Sequence, residues 1–168
     1  VGLFDSLTVR DNVITGGEVD RRDGVMSWLG SAPRAMRAEA SAQAQADHLL
    51  SRLKIADVAD RYPTDLPYPI RKRVAIARAL MCNPRLLMLD EPAGGLSQQD
   101  IDELAVLLRT LTPNTTILLV EHHMDFVMGI CEQIYVLDAG KIIAKGTPTE
   151  VQNNELVRAA YLGSDDVA

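Results

Sequence analysis

The feature that most constrains the fold is a pair of short apolar runs, residues 85–90 (RLLMLD) and 115–120 (TTILLV), each followed by charged residues. Neither run alternates apolar with polar side chains, and this pattern predicts parallel β-strands buried on both faces. Between them, residues 97–100 (SQQD) resemble a helix cap, and Ile101, Leu104 and Leu108 recur at helical spacing. This order of strand, helix and strand predicts an open α/β sheet, in which ligands bind beyond the carboxyl ends of the strands.

The segments around this unit predict further helices and one hairpin. Residues 33–53 are rich in strong helix formers, and a second helix is expected from about Pro69 until residues 83–84 (NP). A polar, glycine-punctuated loop is expected at residues 16–24, and a last helix is expected to stop at Gly163. The other predicted elements are a helix at 124–131, a hairpin of 133–138 with 141–145, and a capped helix from residue 148.

Composition excludes several classes of protein. The net charge of −6 argues against a general nucleic-acid surface. No apolar run approaches the roughly 18 to 20 residues that a membrane-spanning helix needs. Cys82 and Cys131 lie in apolar stretches without metal-ligand spacing, which predicts buried, reduced thiols. We therefore expect a cytosolic piece of protein with no nucleic-acid partner and no direct insertion into a membrane.

The most informative motif is LLMLDEP at residues 86–92. An apolar strand that ends in two carboxylates fits phosphoryl chemistry, because one can hold hydrated Mg²⁺ while the other activates water. The order of the motifs along nearly the whole chain resembles the ABC ATPase family. The resemblance implies that Asp90 is the Mg²⁺ residue, bound through water, and that Glu91 is the catalytic base. His122 is similar to the family's switch histidine, which contacts the γ-phosphate, and His123 stands where Asp is frequent.

A signature-like loop precedes residues 74–80 (VAIARAL), which are similar to the helix behind the family's Leu-Ser-Gly-Gly-Gln loop. Here the aligned residues 66–70 read LPYPI. Pro67 lacks the serine hydroxyl, Pro69 lacks a backbone N–H, and Ile70 lacks a side-chain amide, so this loop is expected to hold ATP weakly. The resemblance implies that five residues face the nucleotide of a second subunit: Pro67, Tyr68, Pro69, Ile70 and Arg71.

Three cations, Arg71, Lys72 and Arg73, lie in the first turn of the helix after this loop. They oppose the helix dipole unless an anion is near. We expect Arg71 to help hold the partner's nucleotide. For Lys72 and Arg73, we favour a solvated basic face over a phosphate contact.

Two further segments resemble the family. The loop Gly94, Gly95, Leu96 and Ser97 aligns with the segment that crosses the dimer interface, although Ser97 stands where Asp is common. The Leu-Pro-Tyr form of the signature, the ending GTPTEVQNNELVRAAYLG and the segment from Glu121-His122 onwards look like the branched-chain amino-acid importer subgroup. The implied fold is α/β, the C-terminal portion of a P-loop NTPase (ABC ATPase) domain, in which a helical subdomain accompanies a partial parallel sheet with flanking helices. Residues 1–82 are expected to form the helical subdomain and residues 83–168 part of the ATPase core.

The phosphate-binding string Gly-x-x-x-x-Gly-Lys-Ser/Thr is absent from these 168 residues. We therefore expect the isolated chain to be inactive and to begin inside a larger protein. The resemblance implies an intact ATPase that uses ATP and Mg²⁺, acts as a homo- or hetero-dimer, and docks through its helical part on a permease at the inner face of the plasma membrane. Two alternatives remain open: a non-catalytic permease-docking or regulatory module, and an ABC ATPase unrelated to transport.

Overall fold

The computed structural model describes residues 2–17 and 32–162. Residues 18–24 of the loop predicted at 16–24, and the helix stop at Gly163, lie outside the described residues. No helix within the described ranges combines the length and apolar character that crossing a bilayer requires. The helices and strands are α1 Val9–Thr15, α2 Ala32–Arg52, α3 Tyr68–Leu80, β1 Leu86–Asp90, α4 Gln98–Leu111, β2 Thr116–Val120, α5 Met124–Ile130, β3 Ile134–Asp138, β4 Lys141–Gly146, α6 Pro148–Gln152 and α7 Glu155–Leu162, with 3₁₀ turns at Ala56–Val58 and Pro63–Asp65.

The chain divides into two compact units, residues 1–92 with 111–118, and residues 93–110 with 119–168. In the first unit, α1 packs against α2 and α3, which also contact each other. The fully buried side chains of this helical core include Val13, Leu50 and Val74. The domain boundary expected between residues 82 and 83 stays a prediction.

The first unit contains a buried polar anchor, Asn12. Its side chain is fully buried, and its Nδ2 donates to the carbonyl oxygens of Phe4, Leu7 and Thr8 at 2.9, 3.1 and 2.9 Å. Its Oδ1 accepts from the Phe4 N–H at 2.8 Å. Because these bonds satisfy backbone groups that have no ladder partner, Asn12 holds the segment before α1 against the helix.

Helix α3 begins at Tyr68, one residue before the expected start at Pro69. Its N-cap residue is Pro67, which makes no side-chain capping bond, since proline has no side-chain acceptor. Val74, Ala77 and Met81 recur at helical spacing and are buried.

Strands β1 and β2 are parallel neighbours, and the pairing starts where the Thr116 N–H donates to the Arg85 carbonyl at 3.0 Å. The prediction that both strands are buried on both faces is wrong. Leu87 is buried, but Met88 is 67% exposed and Val120 is 58% exposed. The reason is that, among the residues that the structure describes, one face of this strand pair carries no covering layer.

The second unit is built around the antiparallel hairpin of β3 and β4. Its two turn residues, Ala139 and Gly140, both have positive φ, as the predicted tight hairpin requires. Helix α6 starts with the predicted capping box, in which Thr147 and Glu150 bond reciprocally. One side of the hairpin packs on α6 and α7 through four buried residues, Ile134, Ala144, Val151 and Val157.

The cysteines do not share one environment. Cys82 is exposed, so the prediction of a buried thiol is wrong there, because residue 82 follows the end of α3 rather than lying within its packed face. Cys131 is half-buried, and burial raises the pKa of its thiol.

Candidate functional site

The paired carboxylates lie at the carboxyl end of β1, in the first unit. Asp90 is the last residue of the strand and Glu91 follows it with a φ of +44°, in the left-handed region that non-glycine residues rarely adopt. Both residues are exposed. The turn that carries them is held from α3, because the Lys72 Nζ donates to the carbonyl oxygens of Glu91 at 3.0 Å and Pro92 at 2.7 Å.

The donors at this strand end fit a magnesium ion that keeps most of its water. Among the described residues no group of three or more His, Cys, Asp or Glu side chains could hold a metal ion. Mg²⁺ in nucleotide enzymes binds through one or two carboxylates, with waters and substrate phosphates completing the shell. An exposed Asp90 beside Glu91 matches this limited donor set, so Asp90 could hold Mg²⁺ through water.

The signature-like loop leads into the same helix that supplies Lys72. Tyr68 is 38% exposed, and its ring lies 5.6 Å from the Arg71 guanidinium carbon and 5.2 Å from the Lys72 Nζ. Such cation–π contacts order both cations at the start of α3. The Arg71 Nε is buried without a hydrogen-bond partner in the structure, a donor that a bound acceptor could satisfy.

The solvated basic face expected for Lys72 and Arg73 is wrong. Arg73 is only 7% exposed, and Lys72 donates to two backbone carbonyls. The Lys72 side chain turns towards the end of β1, where the carbonyl acceptors of Glu91 and Pro92 need donors. Arg71, whose Nε is buried without a hydrogen-bond partner in the structure, keeps a role open towards a nucleotide.

In the second unit, the turn after β2 is organised by Glu121. Its side chain is fully buried, and its carboxylate accepts from three backbone N–H groups: Ala93 to Oε1 at 2.7 Å, and His122 and His123 to Oε2 at 2.9 and 3.2 Å. The His122 side chain is 73% exposed. The expected switch histidine is therefore presented to solvent on a backbone turn that a buried carboxylate holds.

A shallow open pocket joins this turn to the glycine loop. Residues 93–96 and 121–123 line it together with the start of α4. The loop turns tightly, since the Leu96 N–H donates to the Ala93 carbonyl at 3.1 Å and Gly95 has a φ of +73°. Ser97 is exposed, and its hydroxyl accepts from the Asp100 N–H at 3.3 Å to cap α4.

The structure thus collects the predicted site residues in two places. Asp90 and Glu91 share the first unit with the signature-like residues, while His122 shares the second with the glycine loop. Sequence reasoning missed the positions of Lys72 and Glu121 in these arrangements. The available signal was the charge of each residue beside a predicted site segment, but Lys72 bonds a carbonyl 19 residues away and the Oε1 of Glu121 bonds an N–H 28 residues away.

Comparison with protein families supports the predicted resemblance. Residues 1–94 match the family model described as ABC transporter. Residues 141–167 match the model described as branched-chain amino acid ATP-binding cassette transporter. Together the two matches cover both ends of the chain.

Individual relatives agree with these families. The chain is 41% identical over 165 residues to the high-affinity branched-chain amino acid transport ATP-binding protein LivG of Salmonella typhimurium, a match that spans 97% of this chain and 65% of LivG. It is 36% identical to BraF of Pseudomonas aeruginosa, with the same coverage. It is 33% identical to the lipopolysaccharide export system ATP-binding protein LptB of Haemophilus influenzae, over 96% of this chain and 61% of LptB. The chain therefore spans less than two thirds of the length of these relatives.

Solved structures share the fold. CbiO1 of Clostridium perfringens, described as part of the ABC transporter complex cbiONQ, superposes with a TM-score of 0.74 at 29% identity, over 96% of this chain and 59% of that one. The ADP conformation of MJ1267, an ATP-binding cassette of an ABC transporter, gives a TM-score of 0.73 at 26% identity, over 95% and 64%. The α/β fold of an ABC ATPase domain is confirmed. The chain belongs to the ABC transporter family.

Proposed function

We propose that these residues are the C-terminal part of an ATPase subunit that powers an importer for branched-chain amino acids. The observation that carries the proposal is the exposed carboxylate pair at the end of β1, on a turn that Lys72 holds from the signature-like helix. An exposed carboxylate in an ordered turn can reach a water molecule and accept a proton from it. The similarity to LivG and BraF supports the choice of substrate class.

In the proposed reaction, Glu91 orients the attacking water and accepts its proton. Asp90 holds hydrated Mg²⁺, which when bound supplies positive charge next to the phosphates. His122, whose side chain is 73% exposed, is proposed to donate to the transferring phosphoryl group and to help position the water. All three residues act by positioning and electrostatic stabilisation and not by covalent chemistry, as is usual in phosphoryl transfer.

The remaining site residues are proposed to act across a dimer. Pro67, Tyr68, Pro69, Ile70 and Arg71 would contact the nucleotide of a second subunit, and the loop from Gly94 to Ser97 would lie at the dimer interface. The contact between the Tyr68 ring and the Arg71 guanidinium supports this proposal, because it orders two side chains that remain accessible to a ligand from solvent. A membrane permease is the other proposed partner, docked through the helical part, which puts the assembly at the cytoplasmic face of the plasma membrane.

These site residues need a phosphate-binding segment that the 168-residue chain does not contain. No Gly-x-x-x-x-Gly-Lys-Ser/Thr string occurs in it, and such a segment supplies the N–H groups and the lysine that hold the β- and γ-phosphates. We use the term complete ATPase for a protein in which a segment of this kind is joined to the present residues. Hydrolysis is proposed for the complete ATPase and not for the isolated chain.

A second candidate function is a non-catalytic module that docks on a permease or regulates it. The observation that favours it is the pair of prolines, Pro67 and Pro69, in the loop where the family has a hydroxyl and a glycine. Two donors are lost there, which weakens the grip on a nucleotide.

The steady-state ATPase rate of the complete ATPase, assembled with its permease, separates the two candidates. We expect Glu91→Gln to lower kcat by about 100-fold or more, since a positioned general base contributes roughly 10² to 10⁴ in rate. The matched control is Glu132→Gln, which changes an exposed glutamate outside the site. Equal rates for the wild-type protein and Glu91→Gln would refute the catalytic proposal, and ATP-dependent uptake of leucine would identify the substrate class.

A further inference from the structure

We propose that Glu121 is a positioning residue for the ATPase reaction: its buried carboxylate holds the backbone of the His122 turn and the start of the glycine loop in one arrangement. The inference rests on the proposed function, because it assigns Glu121 a role through His122. Nothing in the proposed chemistry requires Glu121 itself to touch the nucleotide.

The geometry divides the work between the two oxygens of Glu121. Oε2 accepts from the N–H groups of His122 and His123, so it holds the turn that presents the switch-like imidazole. Oε1 accepts from the N–H of Ala93, the residue before Gly94 and Gly95. A single side chain therefore connects the two segments that line the shallow pocket.

The connection is specific to a carboxylate. An ionised glutamate only accepts hydrogen bonds, and it accepts at both oxygens, which matches converging N–H donors. A glutamine offers one oxygen, and its NH₂ group would face at least one of the same N–H donors. The side chain is fully buried, so water does not replace a lost bond without opening the site.

The position of His122 depends on this backbone. Its side chain is 73% exposed, so side-chain packing limits it little. The distance from His122 Nδ1 to Glu121 Oε2 is 3.8 Å, within ion-pair range but beyond hydrogen-bond range, so the hydrogen bond from Glu121 to this residue is the one that its backbone N–H donates. Loosening the turn would displace the imidazole and, in the same step, release the Ala93 end of the glycine loop.

Hydrogen exchange in the complete ATPase measures directly how firmly the Glu121 carboxylate holds its three backbone N–H donors. We expect Glu121→Gln to speed exchange of the Ala93, His122 and His123 amides by roughly 10- to 100-fold, the range that the loss of a buried charge-assisted bond implies. Glu132→Gln should leave these rates unchanged. Exchange rates in Glu121→Gln within about twofold of wild type would refute the proposal that Glu121 holds these backbone groups.

Steady-state kinetics tests the positioning role. Glu121→Gln should lower kcat by about 10- to 100-fold while KM for ATP stays within about threefold, because geometry at the reacting phosphate changes and nucleotide contacts do not. Glu121→Asp keeps the charge on a shorter stem, and we expect an intermediate kcat and intermediate amide protection. If Glu121→Gln does not fold, the Asp variant decides: wild-type kcat together with wild-type amide protection would overturn the proposal.

The outcomes separate this inference from the proposed function. If Glu91→Gln removes activity but Glu121→Gln retains wild-type kcat, the positioning role is wrong and the ATPase proposal stands. If the wild-type protein shows no turnover that depends on Glu91, the ATPase proposal fails, and the positioning role fails with it whatever the exchange rates show.

Discussion

Replacing Lys72 by methionine should uncouple the catalytic turn from the signature-like helix. The methionine keeps an apolar stem of similar length and removes only the ammonium group. In the structure this group donates to the carbonyls of Glu91 at 3.0 Å and Pro92 at 2.7 Å. Glu91 also sits at a φ of +44°, which costs roughly 1 kcal/mol or more for a non-glycine residue and persists only when its surroundings hold it.

The size of the effect follows from these two bonds. A hydrogen bond from a charged group contributes roughly 1.5–3 kcal/mol when buried, and solvent reduces this for a side chain that is only half-buried. We therefore assign about 1 kcal/mol to each bond, or about 2 kcal/mol in total, which corresponds to roughly a 30-fold change in the equilibrium constant between the ordered and the released turn.

The assay is ATP turnover by the complete ATPase at saturating ATP. We expect Lys72→Met to lower kcat by roughly 10- to 30-fold, since the catalytic carboxylate is placed correctly in only a small share of molecules. Lys141→Met, which removes an exposed lysine from β4, is the control and should retain wild-type kcat. A kcat for Lys72→Met within twofold of wild type would show that the two carbonyl bonds do not position Glu91.

Three further predictions concern stability. Asn12→Ala should lower the free energy of unfolding in urea by roughly 3 kcal/mol, because the fully buried amide loses all of its hydrogen bonds to the backbone around Phe4, Leu7 and Thr8; a loss below 1 kcal/mol would contradict this. Gly16→Ala should be strongly destabilising, since its Cβ would lie 1.9 Å from a backbone oxygen of α3, whereas Gly17→Ala meets a flexible methionine side chain at 3.1 Å and should cost less. Bonds from the Thr147 backbone N–H and hydroxyl lower the pKa of Glu150 from 4.5. The stabilising effect of the Glu150 carboxylate should therefore be present above pH 4.5 and be lost as the pH falls through the lowered pKa. The urea midpoints of unfolding of the wild type and of Glu150→Gln should converge in acid. A difference between the two midpoints that stays constant with pH would refute this prediction.

Local patterns predicted much of the fold. The strand–helix–strand unit, the tight hairpin and the capping box of α6 each depend on residues within a few positions of one another, so their signals are present in short windows of sequence. Helix α1 was missed, although Thr8 accepts from the Asp11 N–H and so supplies an ordinary N-terminal cap. Its seven residues are too short for a clear helical period.

Features that depend on distant partners were not predictable in the same way. The apolar composition of β1 and β2 indicated strands but did not reveal that Met88 and Val120 are exposed, since burial depends on which other layers are present. Lys72 and Glu121 were visible as charged residues, but their roles come from backbone groups brought close only by folding. Asp90, Glu91 and His122 were predicted from motif position, and their catalytic roles stay predictions.

The most direct test of the proposed function compares ATP binding and turnover by the 168-residue chain with those of the complete ATPase under identical conditions. We expect neither micromolar ATP affinity nor turnover for the isolated chain, and Glu91-dependent hydrolysis once the phosphate-binding segment is joined to it. Tight binding and turnover by the isolated chain would contradict the claim that these residues hold only the water-activating part of the site.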